Sequence, residues 1–144
     1  MSKSREDYMK VIFEFGGKMD RVGNKAISEA LNISAASVTE MISKLQEEGW
    51  VTYIPYQGVQ LTEEGTKMGA SLVRRHRLWE MFLYEKLGYN WDQVHEEAEQ
   101  LEHTGTEFFI DQLDEFLGKP GSELAEELLH TSYNAHRETY PDKK

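Results

Sequence analysis

The sequence predicts a mainly α-helical protein, in which an N-terminal winged helix-turn-helix is followed by a helical dimerisation domain. Three observations lead to this fold class. Two short amphipathic segments separated by a tight turn occupy residues 23–45, two strand-like stretches follow in residues 50–61, and the remaining chain repeats apolar residues at helical spacing. A helix, a turn, a second helix and a β-hairpin, in this order, form the winged-helix arrangement.

The composition of the 144 residues is that of a globular protein with one domain or two small ones. No apolar run approaches the roughly 20 residues of a membrane span, and no signal peptide precedes the first helix. The chain has no cysteine, which excludes disulfides, thiolate metal sites and cysteine nucleophiles. We therefore expect a cytoplasmic protein without a membrane partner. Its formal net charge of −10 means that contact with nucleic acid depends on a local basic surface.

The first helix is predicted over residues 6–15, with Ser4 as its N-cap. Its apolar stripe consists of Tyr8, Val11, Ile12 and Phe15. The helix stops at the glycine pair that follows. An acidic residue in its first turn suits the positive pole of the helix dipole and is also a possible metal ligand.

The next two helices form the predicted helix-turn-helix, capped by Asn24 and Ser34. The exposed face of the second helix is small and polar, so it fits a DNA major groove. The predicted DNA-binding residues are Lys25, Ala35, Ala36, Ser37, Thr39, Glu40, Ser43 and Lys44. An ordinary helical hairpin is the alternative, and the hairpin of strands that follows favours the helix-turn-helix.

The wing is predicted from two strands, Trp50–Ile54 and Val59–Leu61, joined by a turn at residues 56–58. Thr62 then begins a long helix that ends at Gly88. We place the domain boundary here, with the winged helix-turn-helix at residues 1–65 and the helical metal-binding and dimerisation domain at residues 66–144.

Three more helices complete the predicted second domain. The first is capped by Asp92 and ends near residues 104–105, and the second spans residues 106–117. A linker at residues 118–122 precedes a last helix from Glu123 to about Arg137, with His130 and His136 expected on its surface.

A polar stripe on the helix after Asp92 is the main candidate site. His95, Glu99, Glu102 and His103 are spaced four, three and one residues apart, which places them on one helical face. Two imidazoles and two carboxylates form a mixed nitrogen and oxygen ligand set for a divalent metal. The alternative is a solvated acidic helix face. One helix cannot enclose an ion, so other parts of the chain must supply further ligands.

Several motifs resemble the diphtheria toxin repressor family of metal-dependent bacterial regulators, and most closely its manganese transport regulator branch. The resemblance covers residues 4–118. The motifs that carry it are Glu6-Asp7-Tyr8, Ser37-Val38-Thr39-Glu40-Met41-Ile42, Leu61-Thr62-Glu63-Glu64-Gly65, Arg75-His76-Arg77-Leu78, and the run from His95 to His103.

The resemblance implies a metal-activated homodimer that binds double-stranded, palindromic operator DNA. Its principal metal site corresponds to Asp7, Glu99, Glu102 and His103, with His76 completing or bridging it. A second ion position corresponds to His76, Glu80 and His95. The iron-sensing branch has Met and Cys where this chain has Asp7 and Glu99. Hard oxygen ligands suit Mn²⁺, so we expect Mn²⁺, with Fe²⁺ or another divalent transition metal as the alternative.

Two departures from the family pattern affect this expectation. Lys10 stands where some manganese regulators have a further glutamate ligand, which argues against a closely spaced pair of ions. The residues after Gly118 leave no room for the SH3-like domain of larger members, so the chain is a short regulator or a truncated one. The alternative functions are a winged-helix regulator that responds to iron or another signal, and a carboxylate-type metalloenzyme. We expect no enzyme, because such enzymes usually need a paired Glu-x-x-His motif and this chain has only one variant of it.

Overall fold

Two units make up the chain in the computed structural model, Met1–Ala70 and Ser71–Lys144, and the structure describes residues 1–121. The helix expected over residues 123–137, with His130 and His136, lies outside the described residues. Among the described residues, no helix is long and apolar enough to cross a membrane.

The N-terminal unit contains three helices and a β-hairpin, followed by the start of a long helix. The elements are α1 (Lys3–Glu14), α2 (Asn24–Leu31), α3 (Ala35–Glu47), β1 (Val51–Ile54), β2 (Gly58–Leu61) and α4 (Glu63–Met81), which ends in the second unit. This order confirms the predicted winged helix-turn-helix.

Two of the predicted helix caps were wrong by one or two residues. Ser2, and not Ser4, caps α1, and Gly23, and not Asn24, is the N-cap of α2. Ser34 caps α3 as predicted, since its side chain accepts a backbone N–H of the first turn. Several neighbouring polar residues can serve as a cap, so sequence alone leaves the first residue of such a helix open.

Apolar residues at helical spacing form the core of this unit, as the periodicity predicts. The fully or almost fully buried side chains are Tyr8, Met9, Ile12, Phe13, Ile27, Val38, Ile42, Leu45, Val51 and Val59. The stripe predicted for α1 is partly wrong, because Phe15 is exposed and Phe13 takes its place in the core. A Cβ on Gly69 would lie 2.6 Å from the Phe13 Cβ, so the start of α4 packs closely against α1.

The wing is an antiparallel hairpin in which Val51 pairs with Leu61 and Ile54 with Gly58. Val22 forms an additional bridge with Val59, which attaches the hairpin to the loop before α2. Gly58 has φ +106°, and a Cβ there would lie 2.4 Å from the carbonyl oxygen of Val22. Only glycine therefore suits this position.

The second unit contains the end of α4, then α5 (Trp91–Leu101) and α6 (Glu107–Phe116). The long helix reaches the predicted glycine stop, but its last part, Phe82–Lys86, is π-helical. One cluster in the core of this unit consists of Leu78, Ile110 and Leu113, with Trp79, Phe82 and Leu117 packed against them.

Three predicted boundaries in this unit were wrong. Asn90, and not Asp92, caps α5, and α5 ends at Leu101 instead of near residues 104–105. The predicted linker is shorter than expected, because Pro120 and Gly121 already have helical backbone. Proline suits the first turn of a helix, where its missing N–H costs no hydrogen bond.

Candidate metal centre

His76 lies at the centre of a buried polar cluster in the second unit. It projects from α4, and its Nδ1 is 2.6 Å from Glu102 Oε1. Its Nε2 is 3.1 Å from the Oε2 of Glu80, one helical turn further along α4. His76, Glu80 and Glu102 are all buried. Buried charged and polar groups occur in proteins when they are paired or bind a metal.

His95 approaches the same cluster from α5. Its Nδ1 is 3.2 Å from His76 Nε2 and 3.4 Å from Glu80 Oε2. Its other nitrogen, Nε2, is 2.9 Å from Glu99 Oε1, since residues four apart share a helix face. His95 and Glu99 are more exposed than the rest of the cluster, so the site is open to solvent on the α5 side.

The predicted one-helix stripe is only partly correct. His95 and Glu99 lie on α5, but Glu102 is the C-cap and His103 follows in the turn. The imidazole of His95 therefore projects from the helix, and that of His103 from the turn that follows it. Within the turn, His103 Nε2 is 3.7 Å from Glu102 Oε2.

Electrostatic contacts favour the charged forms of Glu80 and His95. Burial by itself would raise the pKa of Glu80, but hydrogen bonds with His76 and His95 and the charges of His76 and Arg77 lower this pKa far below its ordinary value. The hydrogen bond with Glu80 raises the pKa of His95, against the opposing effect of burial. Both pKa shifts favour an ion pair between Glu80 and His95.

The donor atoms of His76, Glu80 and His95 fit a divalent metal ion. One donor atom of each residue lies within 4.8 Å of the others. Donors bound at about 2.1 Å to one ion are about 3.0–3.5 Å apart, and the three contacts measured here fall in that range. Two imidazole nitrogens and one carboxylate oxygen suit a divalent transition metal.

Arg77 is a member of this cluster that the sequence analysis did not single out. Its NH1 donates to Glu80 Oε1 over 2.6 Å, which leaves Oε2 facing the two histidines. Its guanidinium also lies 5.9 Å from the centroid of the Trp91 ring. The spacing of three residues between Arg77 and Glu80 on one helix was the available signal.

The remaining predicted metal ligand, Asp7, lies on α1 in the N-terminal unit. It is partly buried, and its Oδ2 is 3.3 Å from Lys3 Nζ. Lys10 on the same helix pairs with Glu14 over 3.8 Å. The assignment of Asp7, Glu99, Glu102 and His103 to one principal site stays a prediction.

The eight predicted DNA-binding residues are all exposed, on α3 and at the start of α2. Lys44 pairs with Glu40 over 3.4 Å, and Lys25 pairs with Glu29 over 4.0 Å. Such exposed pairs are weak, so both lysines remain able to contact phosphates. Their role on DNA stays a prediction.

Negative charge is concentrated away from the helix-turn-helix. Residues 1–70 contain 8 Lys and Arg against 10 Asp and Glu, a net charge of −2. Residues 71–144 contain 8 against 16, a net charge of −8. Most of the electrostatic repulsion that the whole chain would exert on DNA therefore originates outside the first unit.

Each of the two units matches the model of a known protein family. Residues 1–59 match the family model of the iron dependent repressor N-terminal DNA binding domain, and residues 62–127 match that of the iron dependent repressor metal binding and dimerisation domain. An uncharacterized HTH-type transcriptional regulator of Methanocaldococcus jannaschii is 35% identical over 120 residues, which cover 83% of this chain and 96% of that one. The regulator MntR of Bacillus subtilis is 35% identical over 100 residues, 69% of this chain and 70% of that protein.

Solved structures of metal-dependent regulators also match this chain. The manganese regulator SloR matches with a TM-score of 0.71 and 42% identity over 83% of this chain. The metal-dependent transcriptional regulator MtsR matches with a TM-score of 0.73 and 43% identity, also over 83% of this chain. In each case, the match covers 56% of the solved chain, so this chain spans about half the length of these regulators.

Proposed function

Because the chain belongs to the iron-dependent repressor family, the diphtheria toxin repressor family expected from its motifs, we propose that it is a manganese-responsive repressor that binds palindromic operator DNA as a metal-activated homodimer. The family consists of transcriptional regulators and not of enzymes. One observation carries the proposal: a buried nitrogen and oxygen donor cluster lies in a chain that also exposes a helix-turn-helix face. Operator binding implies a protein of the cytoplasm.

The proposed ligands form two positions that share His76. His76, Glu80 and His95 supply one position, for which the donor distances described above are the support. Asp7, Glu99, Glu102 and His103 supply the principal position, which His76 completes or bridges and for which the sequence resemblance is the support. A bound divalent ion supplies positive charge that offsets the repulsion among these carboxylates. The carboxylate oxygens of Asp7 and Glu99 suit Mn²⁺ better than the Met and Cys of the iron-sensing branch would.

Regulation follows from which residues hold the ion. Asp7 belongs to the helix that begins the DNA-binding unit, whereas the other ligands belong to the second unit. Residues that hold one ion together restrict each other's motion. The ion therefore favours the DNA-competent arrangement to the extent that it binds this arrangement more tightly than the alternatives.

Homodimer formation is supported by the apolar surface of α6. Phe108, Phe109 and Phe116 are exposed among the described residues. Exposed aromatic patches mark interaction sites, and a two-fold dimer suits a palindromic operator.

Metal binding is the first test of the proposal. Mn²⁺ uptake is measured by the loss of the free-ion electron paramagnetic resonance signal during titration of the purified full-length chain. The wild type and a Glu97→Gln control should bind Mn²⁺ saturably, because Glu97 is exposed on α5 and bonded to the Tyr89 hydroxyl. Glu102→Gln and His103→Ala should lose the binding. Absent binding in the wild type, or unchanged binding in Glu102→Gln, refutes the metal site.

DNA binding is the second test. DNA fragments selected from a random pool in the presence of Mn²⁺ are titrated with the protein, and fluorescence anisotropy is followed before and after EDTA. We expect EDTA to abolish specific binding, and Asp7→Ala to weaken it while the dimer persists. Specific binding that survives EDTA would instead support a regulator that responds to another signal. Activation by Fe²⁺ alone would support the iron alternative.

A further inference from the structure

We propose that Arg75 is a positioning residue that holds the ligands Glu102 and His103 in place, an inference that rests on the proposed function. The two ligands lie after the last residue of α5, where the regular hydrogen bonds of the helix end. The Glu102 amide makes one of the last of these bonds, to Ala98 O. The backbone beyond it needs other contacts to keep a defined geometry.

The turn itself supplies few such contacts. The amide and the hydroxyl of Thr104 both donate to Leu101 O, over 3.0 and 2.8 Å. Gly105 then takes a left-handed conformation with φ +87°, which turns the chain towards α6. The carbonyl oxygens of residues 104 and 105 are left for an outside donor.

Arg75 is that donor. Its Nη1 donates to both Thr104 O and Gly105 O over 2.9 Å, and its Nη2 donates to Glu107 Oε1 over 2.6 Å. The side chain is only 13% exposed. A planar guanidinium can bond two carbonyls and a carboxylate at once, whereas the ammonium of lysine lacks this fixed fork.

The position of Arg75 in the sequence links this clamp to the metal cluster. Arg75 directly precedes His76 on α4, and His76 Nδ1 is 2.6 Å from Glu102 Oε1. The turn is thus held to α4 at two neighbouring points, by the arginine on its backbone and by the histidine on its first ligand. Loss of the arginine leaves Glu102 and His103 on a turn with one attachment fewer.

The sign of the effect separates positioning from simple electrostatics. A cation near a metal site repels the metal, so the charge of Arg75 by itself would weaken metal binding. If Arg75 acted only through its charge, its removal would tighten Mn²⁺ binding. Positioning predicts the opposite, a loss of affinity even when lysine retains the charge.

The test compares Arg75→Lys with Arg74→Lys in the full-length chain. Arg74 is a matched control, since it is 12% exposed on the same helix and donates to Asp111 and Asp114 instead of the ligand turn. We expect Arg75→Lys to weaken Mn²⁺ binding about 10-fold, which is the lower end of the usual effect of residues that orient metal ligands. Arg74→Lys should change the Mn²⁺ affinity less than about two-fold. The visible absorption of bound Co²⁺ should change in Arg75→Lys and not in the control, because it reports the geometry of the ligands.

A metal-free measurement makes the test independent of the proposed function. In the absence of metal, Arg75→Lys should speed hydrogen exchange of the amides in residues 102–105 relative to the control. Glu107→Gln replaces the charge-assisted bond at the outer end of the guanidinium by a neutral one. It provides a milder variant, which should weaken Mn²⁺ binding in the same direction.

Each outcome has a defined meaning. If the wild type binds Mn²⁺ and Arg75→Lys binds it equally well, or more tightly, the positioning role is overturned while the proposed function stands. If the wild type binds no Mn²⁺, the proposed function fails. Hydrogen exchange then decides about Arg75 alone, and unchanged exchange in the turn overturns its role.

Discussion

Replacing Asp114 with alanine should destabilise the second unit much more than the same replacement at Asp111. Both aspartates lie on α6 and accept from the same nitrogen of Arg74, over 2.9 Å for Asp114 and 3.1 Å for Asp111. They differ in burial, because the Asp114 side chain is 4% exposed and that of Asp111 is 62% exposed. Asp114 also accepts the backbone N–H of Gly121 over 2.6 Å.

The magnitude follows from the contacts that each variant loses. Asp114→Ala removes two hydrogen bonds to a charged group, each contributing about 1.5–3 kcal/mol, and leaves the Gly121 amide without this acceptor. Arg74 retains Asp111 as a partner, which offsets part of the loss. We expect a decrease of about 3 kcal/mol in the free energy of unfolding for Asp114→Ala. Asp111→Ala loses only an exposed ion pair, so its cost should stay below about 1 kcal/mol.

Urea unfolding followed by circular dichroism measures both values. EDTA is present, since a bound metal stabilises the folded state, and the protein concentration is held constant because a dimer's stability depends on it. Asp114→Asn is an informative third variant, because its side-chain oxygen can still accept the Gly121 N–H. It should fall between the other two. If both alanine variants lost the same free energy of unfolding, the burial of Asp114 would contribute nothing to stability, and the reasoning would be refuted.

Three further predictions concern the wing, the recognition helix and the acid–base behaviour of the cluster. Gly58→Ala should lower the free energy of unfolding by more than about 2 kcal/mol, because the new Cβ meets Val22 O and the residue keeps a positive φ; a loss below about 0.5 kcal/mol would contradict this. Ser34→Ala should cost about 1 kcal/mol and Ser34→Asp much less, since aspartate also caps helices; urea titrations should rank them in that order. In metal-free protein, the Glu80 and His95 pair should stabilise the fold most between their ordinary pKa values of 4.5 and 6.5. Stability is lost as the pH falls below 4.5 towards the lowered pKa of Glu80, and as the pH rises above 6.5 through the raised pKa of His95. The amplitude is modest because His95 is exposed, and a Glu80→Gln variant with an unchanged pH profile would refute the assignment.

The fold class could be predicted because it depends on patterns that are local in sequence. The residues of α2 and α3 repeat at helical spacing, and Ile27, Val38, Ile42 and Leu45 are buried as this spacing requires. Glycine and cap residues separate the elements, so the order of helices and strands could be inferred before any contact was known. Helix ends were less predictable, because several neighbouring polar residues compete to cap one helix.

The candidate site was predictable in its residue types but not in its geometry. The spacing of His95 and Glu99 correctly placed them on one face of α5. The same periodicity carried Glu102 and His103 onto the helix as well, although α5 ends before them. A helix end depends on tertiary contacts as well as on the side chains of the helix itself, and here the arginine of another helix bonds the turn that follows.

The sequence by itself determined the order of elements, the absence of thiol chemistry and the presence of histidines and carboxylates at helical spacing, because these properties depend only on residue types and intervals. Only the tertiary structure decided how His76 contacts His95 and Glu102, since these residues are 19 and 26 positions away and meet His76 only when α4 packs beside α5 and its following turn. The same packing brings Arg75 to the ligand turn, whereas Arg77 pairs with Glu80 within α4. Arg75 and Arg77 carry the same charge, and the direction in which the helix points each of them separates their roles.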